Sequence, residues 1–262
     1  MNIGIFGGTF DPVHSGHLVV ARAAAERFAL KQVLFVPASR PPHKSVARTP
    51  FLHRFAMLAL ALSKDKDFIP SLLEAPDGTE RPSYTLDTVR RAKQELGKAA
   101  RLFVIIGIDA FEEIATWHES VALLREAEFI VASRPGWSLG DVAAVLPEAL
   151  RPTKAVLKTF ASGTGTGDVV LDQGRVVLHL LPEVKVPFSS TEVRKAVAGK
   201  RSLGRYVAPL VADYIRKQRL YHEPKRAAEP VEPKRASAVA GPARGPSNPK
   251  KAKAQRNKRR KK

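Results

Sequence analysis

An eleven-residue run near the N-terminus, Gly7-Gly8-Thr9-Phe10-Asp11-Pro12-Val13-His14-Ser15-Gly16-His17, constrains the fold more than any other stretch. Just before it, Ile3-Gly4-Ile5-Phe6 reads as a short buried strand. Just after it, Leu18, Ala21, Ala25 and Phe28 recur at helical spacing, which predicts a helix beginning near Ser15. A strand that breaks at a glycine pair and re-enters as a helix forms the phosphate-binding corner of an open α/β sheet. There the helix N-terminus offers unpaired N–H groups and the positive end of its dipole to an anion. His14 and His17 sit where the helix starts. An imidazole can donate a hydrogen bond to a phosphate oxygen, and Gly16 between them leaves room for the phosphate to approach the backbone.

The alternation continues downstream. Val33-Leu34-Phe35-Val36-Pro37 reads as a second strand, and the loop from Ala38 to Arg48 carries Pro41-Pro42-His43-Lys44. Thr49-Pro50, an N-cap followed by proline, predicts a helix through Phe51, Arg54, Phe55, Met57 and Leu58 to about Leu62. Phe68 to Leu73 predicts a third strand ending at Glu74. A polar loop then leads to Tyr84-Thr85-Leu86-Asp87-Thr88 and a helix that Gly97 terminates. Leu102-Phe103-Val104-Ile105-Ile106 is the clearest buried strand and stops at Gly107-Ile108-Asp109. An apolar-periodic segment runs on through Phe111, Ile114 and Trp117 towards Leu124. Phe129-Ile130-Val131-Ala132 is the next strand, closing on Ser133-Arg134-Pro135-Gly136. From Trp137 to Asp168 the pattern is weak, with a helix over about Asp141 to Leu150 and a glycine-rich loop at Ser162 to Gly167. Val176 to Leu181 is the last strand, and Ser189 to Ala198 and Ala208 to Gln218 are closing helices. This order predicts an α/β fold, a Rossmann-like doubly wound parallel sheet with a small C-terminal helical segment. The distinctive residues fall at strand C-terminal ends, where such sheets bind ligands, so separated loops should assemble one site.

The second anchor is Phe188-Ser189-Ser190-Thr191-Glu192-Val193-Arg194. Locally it is a capping box, Ser189 paired with Glu192. A helix N-terminus with three hydroxyls and an arginine one turn in also suits a polyphosphate tail. The sequence shows neither an evident Ser-His-Asp triad nor a Gly-Lys-Ser/Thr phosphate loop. With these two anchors the chain resembles the nucleotidyltransferase superfamily, which shares its α/β fold with class I aminoacyl-tRNA synthetases. The first run matches that group's His-x-Gly-His signature. The second matches its Ile-Ser-Ser-Thr-x-x-Arg motif, with Phe188 in place of isoleucine. Pro41-Pro42-His43-Lys44, Ser83 to Thr88, Gly107-Ile108-Asp109, Trp117, Ser133-Arg134-Pro135-Gly136 and Tyr214-Ile215 to Leu220-Tyr221 look like the nicotinate-mononucleotide adenylyltransferases within it. The likeness covers Met1 to Tyr221. It departs at Ser120, where that family often carries a second aromatic.

The resemblance implies attack by the 5′-phosphate of nicotinate mononucleotide on the α-phosphorus of ATP, with Mg²⁺ arriving as the ATP counter-ion and no dedicated protein metal site. It implies catalytic roles for His14, His17 and Arg194. Gly8, Thr9, Phe10, Lys44, Asp109, Ser190 and Thr191 would join them in binding ATP, and Tyr84, Thr85, Trp117 and Arg134 would bind the mononucleotide. Taken singly, several of these have plainer readings: Asp109 as a helix N-cap, Trp117 as a core aromatic, Lys44 and Arg134 as solvated surface cations. A sister enzyme acting on nicotinamide mononucleotide or pantetheine phosphate stays open, though His14 and the chain length argue against it. A nucleotide sensor without catalysis is disfavoured because both motifs keep their polar residues.

The formal charge of +19 would suggest a nucleic-acid binder if it were evenly spread. It is not: residues 222–262 hold 14 Lys and Arg against 3 Glu, more than half the excess. That stretch is rich in Pro, Ala and Lys and lacks aromatics, so the expected organisation is a domain over 1–221 and a basic, disordered tail over 222–262. The tail has the electrostatics for nonspecific nucleic-acid contact but no rings for base stacking. Zero cysteines exclude disulfides, cysteine-ligated zinc and thiol catalysis. No apolar run reaches about 18 residues, and the N-terminus enters a strand without a signal-peptide pattern. A cytoplasmic protein is expected.

Overall fold

The structure, a computed structural model, describes residues 1–40, 47, 49–79, 81–97, 99–133, 136–161, 168–181 and 188–222. The chain divides into two units, Met1–Glu223 and Pro224–Lys262, and the fold is that of the first. Strands β1 (Asn2–Gly8), β2 (Gln32–Pro37), β3 (Phe68–Pro70), β4 (Arg101–Gly107), β5 (Glu128–Ala132), β6 (Asp168–Leu171) and β7 (Val176–Leu181) form one sheet in the order β3-β2-β1-β4-β5-β7-β6. Every pairing is parallel except β6 with β7. Because β1 lies between β2 and β4, the winding reverses direction at β1/β4, and that switch opens a crevice beyond the strand C-termini.

Strand periodicity divides the core between the two faces. On one face Ile3, Ile5, Val104, Ile106, Phe129 and Val131 pack under α3 (Thr85–Leu96), α5 (Ser120–Glu126) and α6 (Leu139–Ala144). On the other, Phe6, Phe35, Phe103, Ile105 and Ile130 pack under α1 (Ser15–Arg27), α2 (Phe51–Leu62), α8 (Ser190–Ala198) and α9 (Pro209–Lys217). The C-terminal helices are therefore part of a core layer: Val193, Val197, Val211 and Ile215 are buried against the α1/α2 side.

Three differences from the sequence expectation have physical causes. Residues 108–124 fold as α4 (Ile108–Phe111), a 3-10 turn (Ile114–Thr116) and α5. Ile108, Phe111, Ile114 and Trp117 recur every three residues, which is 3-10 rather than α periodicity. The weakly patterned stretch holds α6, which is shorter than expected, and α7 (Lys154–Ala161). The sheet also gains an antiparallel edge. Asp172 and Gly174, with φ of 52° and 86°, turn the chain between β6 and β7, and so short a connection permits only an antiparallel pair. The loop expected over 162–167 lies outside the described residues. Among the described residues, no helix is long and apolar enough to cross a membrane.

Candidate active site

The loop leaving β1 enters the crevice at the switch between β1 and β4. Phe10 takes φ 47° and turns its ring into the core, 2 % exposed, with its centroid 4.9 Å from that of His17. A Cβ on Gly8 would stand 3.1 to 3.3 Å from the Phe10 ring, so a side chain here would press on that ring. Gly8, Thr9 and Phe10 make the turn out of β1, and the Gly8 carbonyl accepts from the Ala38 N–H at 2.8 Å. The carbonyls that follow are capped from elsewhere in the chain. Thr9 O accepts from Arg54 Nη1 at 2.7 Å, Asp11 O from Arg194 Nη1 at 2.7 Å, and Pro12 O from Ser190 Oγ at 2.9 Å.

His14 is the extended N-cap of α1, and His17 stands in its first turn. Their rings lie 3.7 Å apart, centroid to centroid, tilted by 30°. His17 Nδ1 accepts from the backbone N–H of His14 at 3.1 Å, which puts the ring proton on Nε2. His14 is buried, and its Nδ1 has no hydrogen-bond partner among the described residues. Desolvation lowers its pKa to about 4, opposed by the nearby Glu192, so the ring is neutral at neutral pH. The helix end is less open than the sequence suggests. The first N–H, of Ser15, donates to Tyr206 O at 2.8 Å, because the C-terminal segment packs across it. The imidazoles remain as polar groups at this corner.

Helix α8 brings the second motif to the same corner. Ser189 Oγ accepts from the Glu192 N–H, and Glu192 Oε2 accepts from the Ser189 N–H at 2.8 Å, the capping box read from sequence. Arg194, half-buried one turn in, donates from Nη2 to Thr191 Oγ1 at 2.9 Å as well as to Asp11 O. Ser190 and Arg194 thus join segments about 180 residues apart in sequence and stand beside the loop that carries His14 and His17.

The remaining predicted residues follow β3 and β4 at the same sheet edge. Tyr84 is the N-cap of α3 and Thr85 its first residue. The Tyr84 ring stacks on His118 at 4.0 Å and 23°. Trp117, at the end of the 3-10 turn, packs partly buried against the core, as its plainer reading as a core aromatic has it. Asp109 is exposed in α4, just past β4. Lys44 and Arg134 lie outside the described residues.

Sequence reasoning missed four neighbours of the site. Arg54, 1 % exposed, donates to the carbonyls of Thr49, Thr9 and Ala38 at 3.0, 2.7 and 2.8 Å. Asp11, also buried, accepts from Tyr221 Oη at 2.6 Å and from the Thr49 N–H at 3.3 Å. Glu74, its pKa raised by burial, accepts from Thr88 Oγ1 at 2.6 Å beneath the α3 N-terminus. His118 is the fourth. Arg54 did leave a signal: it shares a helix face with Phe51, Met57, Leu58 and Leu62, all buried, and a charge in that register needs partners.

Residues 5–196 match the family model described as Cytidylyltransferase-like. The chain is 38 % identical over 220 residues to a "Probable nicotinate-nucleotide adenylyltransferase" of Moorella thermoacetica, covering 84 % of this chain and 91 % of the relative. It is likewise 38 % identical over 221 residues to a protein of the same description from Thermus thermophilus, covering 84 % of this chain and 100 % of that one. The fold is similar to that of Plasmodium falciparum nicotinic acid mononucleotide adenylyltransferase complexed with NaAD. The TM-score is 0.59 at 23 % identity, over 84 % of this chain and 97 % of that one.

Proposed function

The chain belongs to the cytidylyltransferase-like family, alongside the nicotinate-nucleotide adenylyltransferases, and from that premise we propose that it transfers the adenylyl group of ATP to nicotinate mononucleotide. The products are nicotinate adenine dinucleotide, a precursor in NAD biosynthesis, and pyrophosphate. The observation that carries this reading is the junction of the two motifs. Arg194 and Ser190 reach the carbonyls of Asp11 and Pro12, so a guanidinium, hydroxyls and two imidazoles stand at one corner of the crevice.

A 5′-phosphate oxygen of the mononucleotide attacks the α-phosphorus. A new phosphoanhydride bond forms as the α–β bridge breaks, and its electron pair leaves with pyrophosphate. The nucleophile is already an anion, so no general base is required; catalysis comes from positioning and from stabilising the charge that develops on the phosphoryl oxygens. In this reading His17 donates from Nε2–H to the α-phosphoryl group, and His14 contacts a neighbouring phosphate. Arg194, Thr191 and Ser190 hold the β- and γ-phosphates, Lys44 reaches the phosphates, Asp109 lies near the ribose and adenine, and the backbone of Gly8, Thr9 and Phe10 lines the nucleotide. Tyr84, Thr85 and Trp117 receive the pyridine ring and its carboxylate, and Arg134 the mononucleotide phosphate. Among the described residues no group of three or more His, Asp or Glu is placed to hold a metal ion. In this reading magnesium would enter with the substrate, as the counter-ion of ATP.

The test is pyrophosphate release from MgATP with nicotinate mononucleotide, nicotinamide mononucleotide and pantetheine phosphate offered separately. The acid mononucleotide is expected to lead in kcat/KM by roughly tenfold or more, because a site that pairs the carboxylate is left unsatisfied by the amide. A lead for either other acceptor overturns the choice of substrate, and no release with any of them overturns adenylyl transfer.

A further inference from the structure

The loop that carries Thr9 to Pro12 is held from behind by residues that belong to neither motif's phosphate-facing set. Arg54 reaches three carbonyls in three separate segments: Thr9 in the loop after β1, Ala38 after β2, and Thr49 before α2. Its guanidinium also lies over the Phe51 ring, 5.5 Å from the centroid, which fixes its plane. From the other side, the Asp11 carboxylate takes the Tyr221 hydroxyl on one oxygen and the Thr49 N–H on the other. Tyr221 comes 210 positions after Asp11 and reaches it because α9 is docked on α2, where Tyr214 Oη meets His53 Nδ1 at 2.9 Å. Thr49 thus ties the two arms together, giving its carbonyl to Arg54 and its N–H to Asp11.

This arrangement has an electrostatic consequence. A carbonyl oxygen turned towards a polyphosphate repels it. With donors already on Thr9, Asp11 and Pro12, three of the four carbonyls from 9 to 12 are satisfied inside the protein. We propose that Arg54, Asp11 and Tyr221 are positioning residues that brace the β1–α1 loop in its nucleotide-binding shape before ATP arrives. Arg54 and Asp11 are buried, so they act through the loop and not on the nucleotide itself. Burial and the Asp11 carboxylate also keep the Tyr221 hydroxyl protonated far beyond its ordinary range, so this donor persists at any working pH. The inference rests on the reading that ATP occupies this corner.

The experiment measures the affinity of a non-hydrolysable ATP analogue without acceptor, KM for the acceptor, and the thermal midpoint, in wild type, Tyr221→Phe, Arg54→Lys and the double variant. Tyr221→Phe keeps the ring and removes one donor to a buried carboxylate, and it is expected to weaken analogue binding about tenfold while acceptor KM stays within about twofold. Arg54→Lys retains the charge but not the planar fork, and should weaken binding at least as much. The double variant should fall short of the product of the single effects, because both act on one loop. Tyr221→Phe with wild-type analogue affinity overturns the brace, even if its melting point drops, for the contacts would then serve stability alone. If Arg54→Lys does not fold, Tyr221→Phe decides by itself. Wild-type protein that binds the analogue but releases pyrophosphate with no acceptor overturns the proposed reaction, and a tenfold loss of analogue binding in Tyr221→Phe would still support the brace.

Discussion

The imidazole of His14 loses most of its water on folding, and its pKa falls from 6.5 to about 4, with the Glu192 charge pulling the other way. Between those values the unfolded chain binds more protons than the native one, so stability rises with pH through that window and declines as pH falls from about 6.5 to about 4. The size at saturation is on the order of 3 kcal/mol. Urea unfolding of wild type and His14→Asn at a series of pH values between 4 and 7 checks this: the variant should show a shallower slope, and parallel curves would refute it. The same balance of burial against partners explains Arg54. Desolvation lowers its pKa, and Asp11, Tyr221 and Glu74 oppose the shift. A sequence shows the arginine but not the three carbonyls that make its burial tolerable.

At the scale of the element, α8 is the clearest case in which local chemistry sufficed. Ser189 and Glu192 cap one another at the spacing read from sequence, and the helix begins where they do. Ser189→Ala should cost about 1 kcal/mol, lowering the thermal midpoint by about 3 °C; an unchanged midpoint would mean the cap is replaced by water. The segment after β4 was less legible. Its apolar residues were visible, but a spacing of three became two short helices around a 3-10 turn, with Glu119 at φ 45° turning the chain into α5. That break puts Trp117 and His118 at a corner, where His118 meets Tyr84 across an element boundary. The β6–β7 hairpin leaves a weaker local mark, the turn signal of Asp172-Gln173-Gly174 between two Val-rich runs.

For the whole molecule, the two motifs, the sheet and the brace all come from Met1 to Tyr221, and 84 % of the chain suffices to cover these relatives almost completely. Removing residues 223–262 is therefore expected to leave kcat/KM for adenylyl transfer within about twofold. A large fall in turnover would make that segment part of the enzyme. Moving the cut upstream to remove Tyr221 should reduce nucleotide affinity. The alternation of strands and helices, the β1–α1 corner and the α8 cap could be read from the sequence, because periodicity, turn residues and capping act over a few positions. The tertiary structure alone decided that β1 lies beside β4, that Arg194 grips Asp11, and that Arg54 and Tyr221 close on the same loop. Those meetings depend on how helices of interchangeable apolar residues pack over a twisted sheet, and packing joins residues some two hundred positions apart without marking either one locally.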